Sequence, residues 1–358
     1  PYTGPNREML RYIGELQFDL EEYEEALKTF KRLTDLYPDD RDGWFNLASL
    51  YVRTGEQMKA VDCYDRILAL SGPDLDILVR QATLLSLSGE DERAIEAYKK
   101  MVRLRPDDPR LPFTIGTLYL DMGDSTRADS AFAASLMLQP GDTRVWALRI
   151  RLAALQADTV KALDLINLAL DRVGDDSSLL SLAGALYMQY KLYPQAERVL
   201  LQAADRDTST AEPLINLGYL YHELHRWEEA ERVYRRAMEI DPDDPQVLNN
   251  FAYMIAEAGW TERYEEALEY SEGALEAEPE NASYLDTRGW LLYLLHRYPE
   301  AREPLEKAAL LEPGNPVLLD HLGDLYRALG EEERARTMWT RALEQGGDEE
   351  SILPKLDR

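Results

Sequence analysis

The chain has 358 residues and a formal net charge of −27 at pH 7, from 67 acidic and 40 basic residues. A free-standing nucleic-acid-binding protein needs the opposite sign of charge, so this composition argues against that class. There is no run of about eighteen apolar residues, so the sequence predicts no membrane-spanning helix. Cys63 is the only cysteine and cannot form an internal disulfide.

An alanine recurs with a period of 34 residues along almost the whole chain. One interval, between Ala230 and Ala267, is longer by three residues. The recurring alanines are Ala26, Ala60, Ala94, Ala128, Ala162, Ala196, Ala230, Ala267, Ala301 and Ala335. A fixed period of this length is the signature of a repeat array, in which each unit packs on its neighbours. One elongated all-α body therefore replaces the roughly two or three domains that length alone suggests.

Each repeat is predicted to form two helices joined by a short turn. The first helix has a small residue twelve places before the alanine, as at Gly14 and Gly116, within a stripe of apolar residues at helical spacing. Glycine often marks the turn, as at Gly55. Proline often follows the second helix, as at Pro38, because proline cannot continue a helix. The array should contain about twenty antiparallel helices and essentially no strand.

This pattern resembles the tetratricopeptide repeat over residues 7–349, and a bacterial multi-repeat protein of that family in particular. The predicted repeats are 7–40, 41–74, 75–108, 109–142, 143–176, 177–210, 211–244, 245–281, 282–315 and 316–349. Residues 1–6 are then an N-terminal extension and residues 350–358 a C-terminal tail. The resemblance implies a right-handed α-solenoid whose first helices line a concave groove.

Two repeats depart from the pattern. In 143–176, Ile150 stands at the small place and Ala157 at the turn. In 245–281, three extra residues fall near Trp260, Thr261 and Glu262, where they should lengthen the turn between the two helices.

Catalytic motifs are absent from the sequence. There is no phosphate-binding glycine loop and no His-Glu-x-x-His motif. His222 and His225 form His-x-x-His, a spacing that places two imidazoles on adjacent helical turns. However, His225 and His296 both fall at the turn place where glycine is usual, so we interpret these histidines as exposed turn residues. We expect no enzyme activity, no metal and no cofactor.

The resemblance implies that the second, fifth, sixth, ninth, twelfth and thirteenth places of each repeat face the groove. In the C-terminal half these places alternate amides with aromatic rings. An amide has both donors and acceptors and can pair with a peptide backbone, while a ring offers a large contact area. The alternative is that the rings fill gaps between adjacent first helices. The groove residues predicted here are Asn216, Tyr219, His222, Asn249, Asn250, Tyr253, Asp286, Trp290, Tyr293 and His321.

In the N-terminal half the groove places carry arginines, whose forked guanidinium groups recognise carboxylates. An acidic peptide or the free C-terminus of a partner would suit them. The alternative is internal pairing with residues such as Glu8, Glu15, Asp42 and Asp76. Asn46 matches one place of the family's carboxylate clamp, but the lysines of that clamp are missing, which disfavours a chaperone-tail receptor. The predicted groove arginines are Arg80, Arg110, Arg144 and Arg151.

These observations predict a non-enzymatic adaptor or scaffold that binds an extended protein segment in its groove. Two other classes stay open. The first is a self-assembling structural protein, a homo-oligomer, whose terminal faces would be apolar. The second is the targeting domain of a larger enzyme, since the sequence opens at Pro1 without a methionine. Bacterial cytoplasm and periplasm are both compatible with the sequence, which identifies neither the partner nor the oligomeric state.

Overall fold

The computed structural model describes residues 6–356, which form consecutive pairs of helices and, within that range, no strand. The prediction of an all-α array of about twenty paired helices is therefore confirmed. Residues 1–5 of the predicted N-terminal extension and residues 357–358 of the predicted tail lie outside the described residues. The bounds of the predicted solenoid domain, 7–349, stay a prediction.

The protein divides into two compact units, Pro1–Val173 (unit one) and Gly174–Arg358 (unit two). Five helix pairs form unit one: α1 Arg7–Asp19, α2 Tyr23–Leu36, α3 Arg41–Arg53, α4 Gln57–Ser71, α5 Leu75–Leu87, α6 Asp91–Leu104, α7 Arg110–Asp121, α8 Ser125–Leu138, α9 Thr143–Leu155 and α10 Thr159–Val173.

Unit two also has five helix pairs, followed by one short helix. Its helices are α11 Ser177–Gln189, α12 Tyr193–Arg206, α13 Glu212–Glu223, α14 Trp227–Ile240, α15 Pro245–Glu257, α16 Tyr264–Ala277, α17 Ala282–Leu294, α18 Tyr298–Leu311, α19 Pro316–Ala328, α20 Glu332–Glu344 and α21 Glu349–Leu356. The three extra residues of the eighth repeat are accommodated by a 3₁₀ helix, Thr261–Arg263, between α15 and α16, so the longer turn predicted there is present.

Polar side chains cap most first helices and define where they begin. The Asp40 carboxylate accepts a hydrogen bond from the Gly43 backbone N–H at 2.8 Å, and the Asn281 side chain accepts hydrogen bonds from the backbone of Ser283 and Tyr284. Such caps satisfy N–H groups that have no partner inside the helix. They also set the register of the first helix in each repeat, and hence which side chains it presents.

The turn between the two helices of each repeat needs a left-handed residue. Glycine supplies it in half of the repeats, whereas Ala157 (φ 55°), His225 (φ 54°) and His296 (φ 59°) supply it in others. A residue with a Cβ is strained in this conformation. The prediction that His225 and His296 lie in turns is therefore confirmed.

Helix pairs close around a small residue that faces a large one sixteen positions later. A Cβ added at Gly116 would lie 2.6 Å from Cε1 of Phe132, and one added at Gly323 would lie 2.5 Å from Nε1 of Trp339. All ten period alanines are fully buried beside these contacts. In the fifth repeat Ile150 is fully buried at the small place. The core therefore runs as a series of local helix crossings.

First helices of consecutive repeats pack side by side in unit two, from α11 through α13, α15 and α17 to α19. This arrangement brings equivalent places of neighbouring repeats together in rows. We call the surface formed by the groove places of α13, α15, α17 and α19 the first-helix face. Among the described residues no helix combines the length and the apolar character needed to cross a bilayer.

Candidate binding face

Aromatic rings lie at the ninth place of three successive repeats in unit two, each on the first helix of its repeat. Tyr219 on α13 is 45% exposed, and Tyr253 on α15 and Trp290 on α17 are half-buried. Asn216 and Asn250 stand three residues before the first two rings and are also half-buried. The partial exposure leaves these five side chains within reach of a ligand on the first-helix face.

His222 joins α13 to α15 through ring contacts. Its imidazole centroid lies 5.6 Å from that of Tyr253 and 5.5 Å from that of Trp227, and the residue is buried. Burial lowers the pKa of His222 and so favours the neutral ring. The expectation of an exposed turn histidine is therefore wrong for His222, because neighbouring repeats enclose it. His225 packs on Trp227 instead, and the described residues contain no cluster of three potential metal ligands.

Three rings stack in parallel between α17 and α19. The Trp290 ring lies 4.1 Å from that of His321 and 4.8 Å from that of Tyr293, with interplanar angles of 10° and 9°. The Nδ1 of His321 is 2.9 Å from a carboxylate oxygen of Asp286. Burial opposes the charged imidazole, but the Asp286 carboxylate outweighs it and raises the pKa of His321. Asp286 and His321 thus couple the ninth repeat to the tenth, and Trp290 covers them.

Asn249 is the most enclosed of the predicted amides. It is 6% exposed, and its Oδ1 accepts no hydrogen bond within residues 6–356. It lies one helical turn before Tyr253, on the same first helix. Buried acceptors without a donor are uncommon in proteins, so this oxygen marks a place where a further donor would be stabilising.

Each predicted groove arginine of unit one either contacts a neighbouring side chain or is exposed to solvent. Arg110 contacts Asp108 at 2.7 Å and Arg144 contacts Asp142 at 2.9 Å, in both cases through two hydrogen bonds to the aspartate two residues earlier. Arg80 lies over the Phe45 ring at 5.5 Å. Internal pairing thus occurs: Arg110 and Arg144 pair with aspartates that were not expected, whereas Arg11 pairs with Asp42, which was. Exposed pairs of this kind contribute little to stability, and their arginine side chains stay accessible. Arg151 is also exposed.

Two acidic residues of the first-helix face were not among the groove residues predicted from the sequence. Glu223 and Glu257 occupy the thirteenth place of successive repeats, on α13 and α15, and both are exposed. Within residues 6–356 neither carboxylate forms an ion pair with a cation, and burial together with the charge of Glu223 raises the pKa of Tyr219. The thirteenth place was already among the predicted groove places, so the repeat register contained the signal for both.

Further along the first-helix face, the carboxylates already hold a cation. The Nζ of Lys355, on α21, lies 2.7 Å from Asp320 and 2.8 Å from Asp324, both on α19. Ile352 of α21 is buried. The segment described from sequence as a tail thus packs against the last helix pair, and its lysine neutralises part of the acidic surface.

This architecture, stacked helix pairs with a row of polar and aromatic side chains on adjacent first helices, defines a helical repeat solenoid. Two sequence models described as tetratricopeptide repeat match the protein, one over residues 211–244 and the other over 13–74, 48–109, 113–177 and 261–316. The chain belongs to the tetratricopeptide repeat family. Membership of this family supports a role as a protein-interaction scaffold.

Solved structures with the same fold include a tetratricopeptide repeat protein from Parabacteroides merdae. That protein is 19% identical, with a TM-score of 0.56 over 70% of this chain and 97% of its own. Yeast Tom70 is 17% identical, with a TM-score of 0.48 over 97% of this chain and 93% of its own. No curated protein matches the sequence at a significant level. The likeness to the Parabacteroides merdae protein concerns the fold alone.

Proposed function

We propose that the protein is a non-enzymatic adaptor whose first-helix face in unit two binds an extended segment of another protein. The observation that supports this function most directly is the row of Tyr219, Tyr253 and Trp290 with Asn216 and Asn250 beside it. All five side chains are partly exposed on helices that pack side by side. Rings and amides in such a row match what an extended peptide offers, namely side chains and an unpaired backbone.

The two kinds of side chain have different roles in this proposal. The amides of Asn216 and Asn250 donate to and accept from the peptide backbone, which gives affinity for many sequences. Tyr219 and Trp290 provide contact area for the side chains, and aromatic anchors of this type often dominate binding energy, at about 2 kcal/mol or more each. The face should therefore hold a peptide in a fixed register.

A random peptide library displayed on phage, selected on the immobilised protein, tests the function. The counter-target is the triple variant Tyr219→Ala/Tyr253→Ala/Trp290→Ala, whose helix content is first verified by circular dichroism. We expect peptides that bind the native protein and lose affinity for the variant by at least about tenfold, which corresponds to 1.4 kcal/mol. Equal enrichment on both targets would refute binding at this face.

Self-association is a second candidate function, because an apolar stripe on α1 lies exposed. The stripe occupies positions i, i+3, i+4 and i+7 of that helix and continues at i+11 in the residue that caps its C-terminus, and its residues are between 37% and 68% exposed. They are Met9, Tyr12, Ile13, Leu16 and Leu20. A contiguous apolar patch of this kind is typical of an interaction surface. Light scattering of the native protein and of Tyr12→Ser/Leu16→Ser decides this point: a monomer in both cases removes the candidate.

A further inference from the structure

We propose that the first-helix face of unit two selects a basic segment, in which lysine or arginine recurs at every third residue. This inference rests on the proposed function, because it specifies the chemistry of the segment that the face binds. It depends on the position of the unpaired carboxylates relative to the exposed rings.

The carboxylates of Glu223 and Glu257 accompany the exposed Tyr219 and the half-buried Tyr253. Each glutamate lies four residues after the tyrosine on its own helix, so both point along the same side of that helix. The pKa of Tyr219 is raised by burial and by Glu223, and the pKa of Tyr253 is raised by burial and then by Glu257. The carboxylates are therefore close enough to each ring to act on the same bound group.

A ring beside a carboxylate is well suited to a cationic side chain. The cation is attracted by the face of the ring and by the negative charge, while its aliphatic stem packs on the apolar surface. Tyr219 with Glu223 forms one such pair and Tyr253 with Glu257 forms the next. An acidic segment would instead meet repulsion at both pairs, so charge complementarity favours a basic partner.

The protein itself shows how carboxylates on this face hold an amine. Lys355 is bound between Asp320 and Asp324 on α19. Asp286 is likewise occupied, by His321. Glu223 and Glu257 have no such cation within residues 6–356, and neither has Glu212 at the start of α13. A partner supplies the missing charges.

The amide Asn249 lies between these two pairs in sequence and is an independent sign of a ligand. More than nine-tenths of it is buried, yet its Oδ1 has no donor among the described residues. It precedes Tyr253 by one helical turn. Because the Oδ1 atom is enclosed, a backbone N–H of a segment lying against Tyr253 would complete its hydrogen bonding once the amide turns toward the face.

The spacing of basic residues in the partner follows from the helix packing. Helices packed side by side lie about 8–10 Å apart. A segment in the polyproline II conformation advances about 3.1 Å per residue with three residues per turn, so every third side chain lies on the same side, whereas the side chains of a β-strand alternate. A segment that crosses α13 and α15 therefore passes from the Tyr219 pair to the Tyr253 pair in about three residues. Lysines at every third residue meet successive pairs, whereas clustered lysines do not.

Fluorescence anisotropy of labelled peptides tests the inference at physiological ionic strength. The probe is an alanine–serine peptide with lysine at every third residue. One control peptide has the same composition with the lysines clustered at one end, and a second has glutamate in place of each lysine. We expect the spaced lysine peptide to bind the protein about tenfold more tightly than the glutamate peptide, and about threefold more tightly than the clustered peptide.

Two matched double variants separate local recognition from the general attraction of an acidic protein for cations. Glu223→Gln/Glu257→Gln should weaken binding of the spaced lysine peptide about fivefold. Glu269→Gln/Glu276→Gln removes the same charge from exposed places on α16 and should change binding less than about twofold. Equal losses in the two variants, or equal binding of the lysine and glutamate peptides, would overturn the inference.

The library selection distinguishes failure of this inference from failure of the proposed function. Peptides that depend on Tyr219, Tyr253 and Trp290 but show no excess of basic residues would overturn the basic specificity and leave the adaptor function in place. Absence of any peptide that depends on these rings would overturn both.

Discussion

Gly116→Ala tests whether the small residue of each repeat sets the approach of its two helices. The added Cβ would lie 2.6 Å from Cε1 of Phe132 and 2.7 Å from its Cδ1. Carbon atoms in favourable contact are about 3.5–4.0 Å apart. The Phe132 ring must therefore move by roughly 1 Å, and it is fully buried, so neighbouring side chains must move with it.

The expected loss of stability combines two opposing effects. Overpacking of a buried site costs about 1–3 kcal/mol. Alanine gains about 0.8–1 kcal/mol over glycine in a helix interior. Contacts this short against a fully buried ring place the overpacking cost in the upper part of that range, at about 2–3 kcal/mol, so the net destabilisation should be about 1–2 kcal/mol. Ala48 and Ala82 occupy the equivalent place in the second and third repeats, so the fold itself tolerates an alanine there and the effect should be local.

Hydrogen exchange measured by mass spectrometry resolves this local effect. Because each repeat packs mainly on its neighbours, protection should fall in α7 and α8 and much less in distant helices. A loss of about 1–2 kcal/mol corresponds to exchange about 5- to 30-fold faster. The matched control is Gly141→Ala, since a Cβ at Gly141 has no atom within 4 Å. Exchange that is unchanged, or changed equally in the control, would refute the reasoning.

A double-mutant cycle identifies the clash itself. Phe132→Leu alone should be destabilising because a buried ring is lost. Combined with Gly116→Ala, it should cost less than the sum of the two single changes, since the smaller side chain leaves room for the new methyl group. Repeats six and nine already pair a glycine with Leu200 and Leu305 at these places. Strict additivity would show that Gly116 and Phe132 do not interact.

Three further changes test other parts of the molecule. Ala230→Leu should cost about 1–3 kcal/mol in urea unfolding, because Ala230 is fully buried; no loss would contradict the repeat register. Trp290→Ala should weaken binding of a selected peptide by about 2 kcal/mol; a lower melting temperature with unchanged affinity would make Trp290 a packing residue only. The pairing of His321 with Asp286 raises the pKa of His321 above its unfolded value, so its stabilisation is full below about pH 6.5 and is lost as the pH rises through the folded pKa. His321→Gln should therefore cost more at about pH 5.5 than at about pH 9, and equal urea midpoint shifts would contradict this.

Much of the fold could be predicted because its determinants are local. A 34-residue period, a cap such as Asp40 and a turn residue such as Gly55 each act within one repeat, so the sequence of that repeat suffices. The position of His225 within its repeat was likewise enough to predict that this residue lies in the turn.

The candidate face was harder to predict because its side chains depend on neighbouring repeats. His222 is buried by Tyr253 and Trp227, and His321 pairs with an aspartate 35 residues earlier. No pattern within one repeat indicates these contacts. The pairing of Arg110 with Asp108, in contrast, follows from a spacing of two residues at the start of a helix and could have been predicted.

The lysine of α21 has a consequence for how this array can grow. His321 reaches Asp286 across 35 residues, and Lys355 reaches Asp320 across the same number. A duplicated copy of residues 316–349, placed before α21, would set its own histidine against Asp320 and offer its own aspartate to Lys355. Both contacts would reproduce ones that already exist. Gene duplication can therefore lengthen this array by a whole repeat while keeping the aspartate contact between neighbouring first helices, with Asp324 in the place of Trp290 beside the new histidine.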